Sequence, residues 1–327
     1  MKDYLKNVLE KMPKSWLSTT THRLDIYDEK LAKTEFIEQF ELLSKKDCTE
    51  TSALNNLPTA YDYIRLGHPL SCVLEWSIAR LHEINPKNII SFSSQTIPIL
   101  SILRKNLLAH INTRIIYTDN CLDFFDYETI KQTYGYSFEL KKVEKLSDIS
   151  DFDGTTVLVS QSEKVEVNTL KLKIDFFINI YKKLGSVLIV NGKQNEHYIS
   201  EIQHVRRRET IAMTPANCHT ALLALIKNST FTISSPEIEF NKKIVRDEII
   251  TITGAKTTPL IGSSGLSMQY AIMMGLVDFA QENYQGKPIK FIVPPNCYGG
   301  TNDQARRVAA CIKNVEVIDL PVDREND

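Results

Sequence analysis

Two short stretches combine residue types suited to a phosphate and to a planar ring. Ser263-Ser264-Gly265-Leu266 reads as following a strand and opening a helix, where free backbone N–H groups and the helix dipole favour a phosphate. Tyr298-Gly299-Gly300 closes the run FIVPPNCYGG. A tyrosine there can lay its face on a ring, and paired glycines let its loop turn tightly. In α/β sheets, ligands sit beyond the carboxyl ends of parallel strands, where both stretches fall. Alone, the serines suit an ordinary capped helix start and the tyrosine a packed turn. Neither stretch is a Walker loop or a GxGxxG fingerprint, so a nucleotide-binding reading lacks its motif.

The surrounding elements must place these groups. Apolar residues three and four apart predict helices in KLAKTEFIEQFELLSKK and PLSCVLEWSIARLHEI. NIISFSS, TRIIYTD, TTVLVSQ, SVLIVNG and IKFIVPP each read as a buried strand ending in polar or turn residues, mostly separated by helical stretches. That order implies an α/β fold whose mostly parallel sheet is covered by helices.

The same grammar of strand, Ser-Ser, helix, strand and Asn-Cys occurs twice, over residues 89–125 and 259–300. Ser94 matches Ser264 at a separation of 170 residues, and Cys121 matches Cys297 at 176. HPLSCVLEWSIARL pairs loosely with SPEIEFNKKIVRDEI upstream. The copies differ in glycine: residues 1–134 contain only Gly67, whereas seven of the twelve glycines fall between 254 and 300. Where the second copy has Ser264-Gly265 and Tyr298-Gly299-Gly300, the first has Ser94-Gln95 and Leu122-Asp123-Phe124. Glycine allows close approach of backbone to ligand, so its loss from one copy suggests a lost ligand site.

GSSGLSMQYAI followed by VPPNCYGGT resembles the cystathionine γ-synthase group, the Cys/Met-metabolism enzymes that use pyridoxal 5'-phosphate (PLP) on the fold-type-I scaffold. The resemblance implies a three-layer α/β/α fold, partially duplicated. It also implies PLP phosphate contacts from Ser264 and from the backbone of Gly265 and Leu266, with Tyr298 stacked on the pyridine ring. Tyr63-Ile64-Arg65-Leu66-Gly67-His68-Pro69 resembles the family's Tyr-x-Arg-x-Gly-Asn-Pro segment, with His68 in place of asparagine. In the family, that tyrosine and arginine reach the partner subunit's PLP phosphate, a task suited to a two-pronged guanidinium. The second copy has Thr230 and Thr232 at those positions. The copies are thus complementary, the first supplying Tyr63 and Arg65 and the second the cradle. This suggests a gene fusion that mimics the family dimer with a single PLP site. The bland alternative is that Arg65 pairs with a surface carboxylate.

Other positions of the first copy depart from the pattern. Asn191 stands where the family has the aspartate that holds the pyridine nitrogen protonated, and Lys164 where it has an asparagine. TIAMTPANCHTAL occupies the region of the Schiff-base lysine, with Thr214 or Pro215 in its place. Lys193 and Lys256 lie outside that motif, so no residue of this chain is assigned as catalytic. By the resemblance, the second copy's own aspartate and lysine would fall beyond residue 327. The expected organisation is a helical segment over 1–50, a degenerate PLP-fold domain over 51–227, and the first part of a second copy over 228–327. The expected function is trans-sulfuration chemistry, β/γ-elimination or γ-replacement on a sulfur amino acid, in a chain that lacks the lysine. The alternative is a non-catalytic relative or partner subunit, and either reading expects a homo-oligomer or an internal pseudo-dimer.

Composition sets the outer limits. With 327 residues, 43% of them hydrophobic and 24% charged, the chain suits two ordinary globular units. A formal net charge of -1 gives no field to gather nucleic acid or an anionic membrane, and Arg206-Arg207-Arg208 reads as a solvated surface. The charged opening MKDYLKNVLEKMPKSW lacks a signal peptide's apolar core, and no stretch reaches the roughly 18 apolar residues of a membrane span. The six cysteines form no CxxC pair. Neither zinc nor a disulfide framework is expected, and a reducing cytoplasm fits.

Overall fold

The structure is a computed structural model that describes residues 1–18, 29–58, 64–118, 123–165, 173–232 and 235–321. Three helices come first: α1 (Lys2–Lys11), α2 (Glu29–Lys45) and α3 (Thr51–Asn55). The first repeat follows as α4 (Pro69–His82), β1 (Ile89–Phe92), α5 (Ile97–Ala109), β2 (Thr113–Tyr117), α6 (Tyr127–Thr133) and β3 (Glu139–Lys142). It continues with β4 (Thr155–Ser162), β5 (Phe176–Tyr181), β6 (Gly185–Val190), α7 (Ile199–Glu209) and α8 (Pro215–Lys227). The second repeat contains α9 (Ser235–Thr253), α10 (Gly265–Asn283), β7 (Ile289–Val293), α11 (Gly299–Ala309) and β8 (Val315–Asp319).

Six strands form the main sheet in the order β1-β6-β5-β4-β2-β3. Neighbours are parallel from β3 through β2 and β4 to β5, whereas β6 runs against both β5 and β1. Five strands therefore point one way, and β6 alone is reversed. Apolar side chains cover both faces, as a sheet sandwiched between helices requires. Leu158, Phe177 and Ile189 join one core with residues of α1, α4 and α8. Their neighbours Val157, Phe176 and Leu188 join another with residues of α5, α6 and α7. The result is the helix-covered, mostly parallel sheet expected from the alternation of elements, in the three-layer α/β/α arrangement that the resemblance implies.

The repeat recurs in three dimensions. β7 lies 176 residues after β2, and each pairs in parallel with the next strand, β8 or β3. A helix precedes each of β2 and β7, and another separates each pair. The second copy has a small core of its own around Tyr270, Met274, Val277, Val308, Ile312 and Val315, which meets Tyr134 and Ile97 of the first.

Two expectations need correction. No strand precedes Ser263: residues 254–264 take no sheet hydrogen bonds, because PLIG has no neighbouring strand to pair with. The arginine triplet is not a solvated surface either, since Arg206 is buried and Arg207 and Arg208 are half-buried. Among the described residues no helix is long and apolar enough to cross a membrane, and no group of His, Cys, Asp and Glu is placed to hold a metal.

Candidate functional site

The candidate site forms where the first repeat's residues 64–68 meet the N-terminal ends of α10 and α11. Several contacts fix that segment. Ala212 N donates to Ile64 O at 3.0 Å, and Arg206 Nη2 donates to Leu66 O at 2.5 Å. Gly67 takes φ +135°, a conformation that costs a side-chain-bearing residue strain. His68 then caps α4: its Nδ1 accepts from Ser71 N at 3.2 Å, while its own N–H donates to Ser71 Oγ at 3.0 Å. Its Nε2 lies 2.6 Å from Met213 O, so the proton sits on Nε2 and the ring is neutral. Burial pushes this imidazole down to a pKa of about 4.

Beneath the segment lies a buried ion network. Glu75 Oε2 meets Lys33 Nζ at 2.6 Å, and Oε1 meets Arg206 Nη1 at 3.1 Å. Glu75 Oε1 also accepts from the backbone and hydroxyl of Ser91 at 2.8 and 2.7 Å. Burial alone would raise the carboxyl's pKa, but the two cations and these hydrogen bonds hold it below the ordinary value. Arg206 thereby connects α4, β1 and the backbone beside Arg65.

Arg65, itself buried, donates from Nη2 to Tyr298 Oη at 3.0 Å and from Nη1 to Arg207 O at 3.4 Å. Residues 233 positions apart thus meet within one chain. Tyr63 lies outside the described residues, as does Cys121.

On the other side, Ser264 and Ser267 form a reciprocal capping box: Ser264 Oγ accepts from Ser267 N at 3.2 Å, and Ser267 Oγ accepts from Ser264 N at 2.9 Å. This leaves the amides of Gly265 and Leu266 at the helix mouth without a protein acceptor among the described residues. The amides of Gly299 and Gly300, which open α11, are in the same state. Gln304 Nε2 fastens the two helices, donating to Leu266 O at 2.8 Å and to Arg208 O at 2.5 Å. Gly300 leaves room for the ring: a Cβ there would stand 2.6 Å from Tyr298 Cε1 and 3.0 Å from Leu266 Cδ1. The Tyr298 ring therefore rests on Gly300 and leaves much of its surface exposed.

Charge around Tyr298 is positive. The hydrogen bond from Arg65, together with the fields of Arg65, Arg208 and Arg207, holds its phenol below the usual tyrosine value. Asp303 faces this cluster, 2.9 Å from Arg208 Nε and 2.9 Å from His204 Nε2. Free helix-terminal amides beside guanidinium groups and an open aromatic face fit a phosphate attached to a ring. Arg207, Arg208, Asp303 and Gln304 were missed in the sequence. The triplet was visible as a charge run, but only the fold turns it inward.

Several first-repeat positions that depart from the resemblance have structural work. Asn191 Nδ2 donates to Ile174 O at 2.6 Å, Thr214 caps α8 by accepting from Asn217 N at 3.3 Å, and Pro215 opens that helix. Lys164 N donates to Ser162 Oγ at 3.2 Å, and the Lys193 and Lys256 side chains are exposed. A separate cavity of about 610 Å³ lies between α2, the end of α4 and α7, lined by Lys33, Glu41, Arg80, Lys87 and Glu196 among others. Arg80 pairs there with Glu41, and Lys87 with Glu196.

No family model and no curated protein matches the chain. Among solved structures it is similar to cystathionine gamma-lyase from yeast, with 12% identity, 68% of this chain and 62% of that one covered, and a TM-score of 0.41. It is also similar to metB from Corynebacterium glutamicum, with 14% identity, coverage of 53% and 55%, and a TM-score of 0.34. A third is a putative O-acetylhomoserine (thiol)-lyase from Campylobacter jejuni that carries N'-pyridoxyl-lysine-5'-monophosphate, with 13% identity, coverage of 50% and 58%, and a TM-score of 0.32. The chain spans between about half and two thirds of the length of these structures.

Proposed function

We propose that the chain binds PLP by its phosphate between Arg65 and the N-termini of α10 and α11, as a member of the trans-sulfuration enzyme group acting on sulfur amino acids. The observation that carries this reading is the Arg65 Nη2 to Tyr298 Oη hydrogen bond of 3.0 Å, which brings together the two sequence motifs of the resemblance. Gly265 and Leu266 would donate backbone N–H groups to the phosphate, with Ser264 holding the turn in place. Arg65 would grip the phosphate, and Tyr298 would cover the ring from the side that Gly300 leaves open. When bound, PLP supplies an electron sink for β/γ-elimination or γ-replacement on the amino acid.

A second reading, a non-catalytic partner subunit, draws on Asn191, Thr214 and Pro215, which serve as backbone anchors and helix cap where the resemblance places reactive groups. Calorimetric titration with PLP and with inorganic phosphate tests the site. Both are expected to bind, Arg65→Ala should lower phosphate affinity at least about tenfold, as loss of a charge-assisted contact implies, and borohydride should trap no lysine adduct. Binding that is indifferent to Arg65→Ala would refute the assignment, and a trapped adduct would refute the absence of a reactive lysine.

A further inference from the structure

Along α11, Gly300, Gln304 and Val308 recur at helical spacing on the buried face. A polar side chain in the middle of such a stripe costs free energy unless it is hydrogen-bonded. Gln304, 1% exposed, satisfies only its donor half. Nε2 donates to Leu266 O and to Arg208 O, whereas Oε1 has no partner among the described residues. The position therefore uses a neutral double donor and leaves the acceptor over.

Both acceptors sit at the candidate site. Leu266 is one of the residues whose N–H groups open the mouth of α10. Arg208 O is one of the last carbonyls of α7, which have no partner within the helix. The preceding one, Arg207 O, accepts from Arg65 Nη1 at 3.4 Å. Successive carbonyls at one helix end are thus taken by Arg65 of the first repeat and Gln304 of the second. Other contacts hold the same elements together: Thr301 Oγ1 meets Gln269 Oε1 of α10 at 2.9 Å, and Asp303 and Arg307 pair with α7 through partly exposed side chains. Among the described residues of α11, Gln304 alone bonds to both α7 and α10.

We propose that Gln304 is a positioning residue for the phosphate cradle: its two N–H groups set the α10 mouth of the second repeat against the α7 end that holds Arg65 in the first. The inference rests on the phosphate reading of the site.

Gln304→Met keeps the length of the side chain and removes both donors, and Gln304→Glu keeps the shape. Facing two carbonyls in a buried place, the new carboxyl has a raised pKa, and once protonated it regains one donor. Calorimetric titration with inorganic phosphate should show both variants weaker than the parent by about tenfold at about pH 9, roughly the worth of one hydrogen bond. As pH falls to about 5.5, the Glu variant should recover toward the parent measured at the same pH, while the Met variant keeps its deficit. In the empty Met variant, the Tyr298 phenol, read by ultraviolet titration against Tyr298→Phe, should move up as its contact with Arg65 loosens. If Gln304→Met does not fold, the Glu variant carries the test alone, since it is compared with itself across pH. Affinities equal to the parent in both variants, a Glu deficit that does not change with pH, or an unmoved phenol would overturn the proposal and leave Gln304 a packing residue. A parent chain that binds no phosphate overturns the phosphate reading instead, and the phenol titration still decides whether Gln304 positions Arg65 against Tyr298.

Discussion

Neutral His68 makes the fold sensitive to mild acid. Burial lowers its pKa from 6.5 to about 4, and each pH unit of that gap is worth about 1.4 kcal/mol. About 3 kcal/mol of folding free energy therefore depends on one proton. Between these two values the unfolded chain binds the proton and the folded chain does not, so stability rises with pH across this window. The contribution is complete above about pH 6.5, falls as pH drops toward 4, and changes no further below that. Protonating Nδ1 would also destroy the acceptor that caps Ser71 N. His68→Asn keeps a good capping side chain without the titration, although it forfeits the contact with Met213 O, at a cost of about 1 kcal/mol. Urea unfolding followed by circular dichroism at pH 7, 6, 5 and 4 should show the parent chain losing about 3 kcal/mol more than the variant. Parallel stability curves for the two proteins, or an imidazole NMR midpoint near 6.5, would refute the reasoning.

Two further outcomes follow from the packing. Glu75→Gln strands Lys33 and Arg206 in the interior, and removing one partner of a buried ion pair costs about 3–5 kcal/mol; urea unfolding at pH 7 measures it. Gly300→Ala should favour the helix by up to about 1 kcal/mol, yet its Cβ displaces the Tyr298 ring from Arg65. The thermal midpoint should then hold while the Tyr298 phenol, read by ultraviolet titration, moves back up toward the ordinary tyrosine value.

Sequence patterns disclosed β1, β2, β4, β6 and β7 because each is a short apolar run ending in turn residues. β5 escaped notice, since FFINIY runs through a three-residue turn into β6 and the pair reads as one apolar region. β3 and β8 carry charged, partly exposed residues and have no strong pattern of their own. The strand expected before Ser263 failed for the opposite reason: its composition suits a strand, but strand structure requires a neighbour. At the site, the motifs around Arg65, Gly265 and Tyr298 were legible as residue types. The inward turn of Arg207 and Arg208 was not, because local sequence does not say which end of α7 faces a second repeat.

The meeting of Arg65 and Tyr298 inside a single polypeptide changes what selection can do with each half. In a two-fold homodimer every substitution appears twice, so a residue must serve as lender in one subunit and as receiver in the other. Tandem linkage lifts that obligation. Either half can then change while the other keeps its side of the contact. The pair also remains together at any dilution, because its effective concentration is set by the connecting chain and not by how much protein the cell makes.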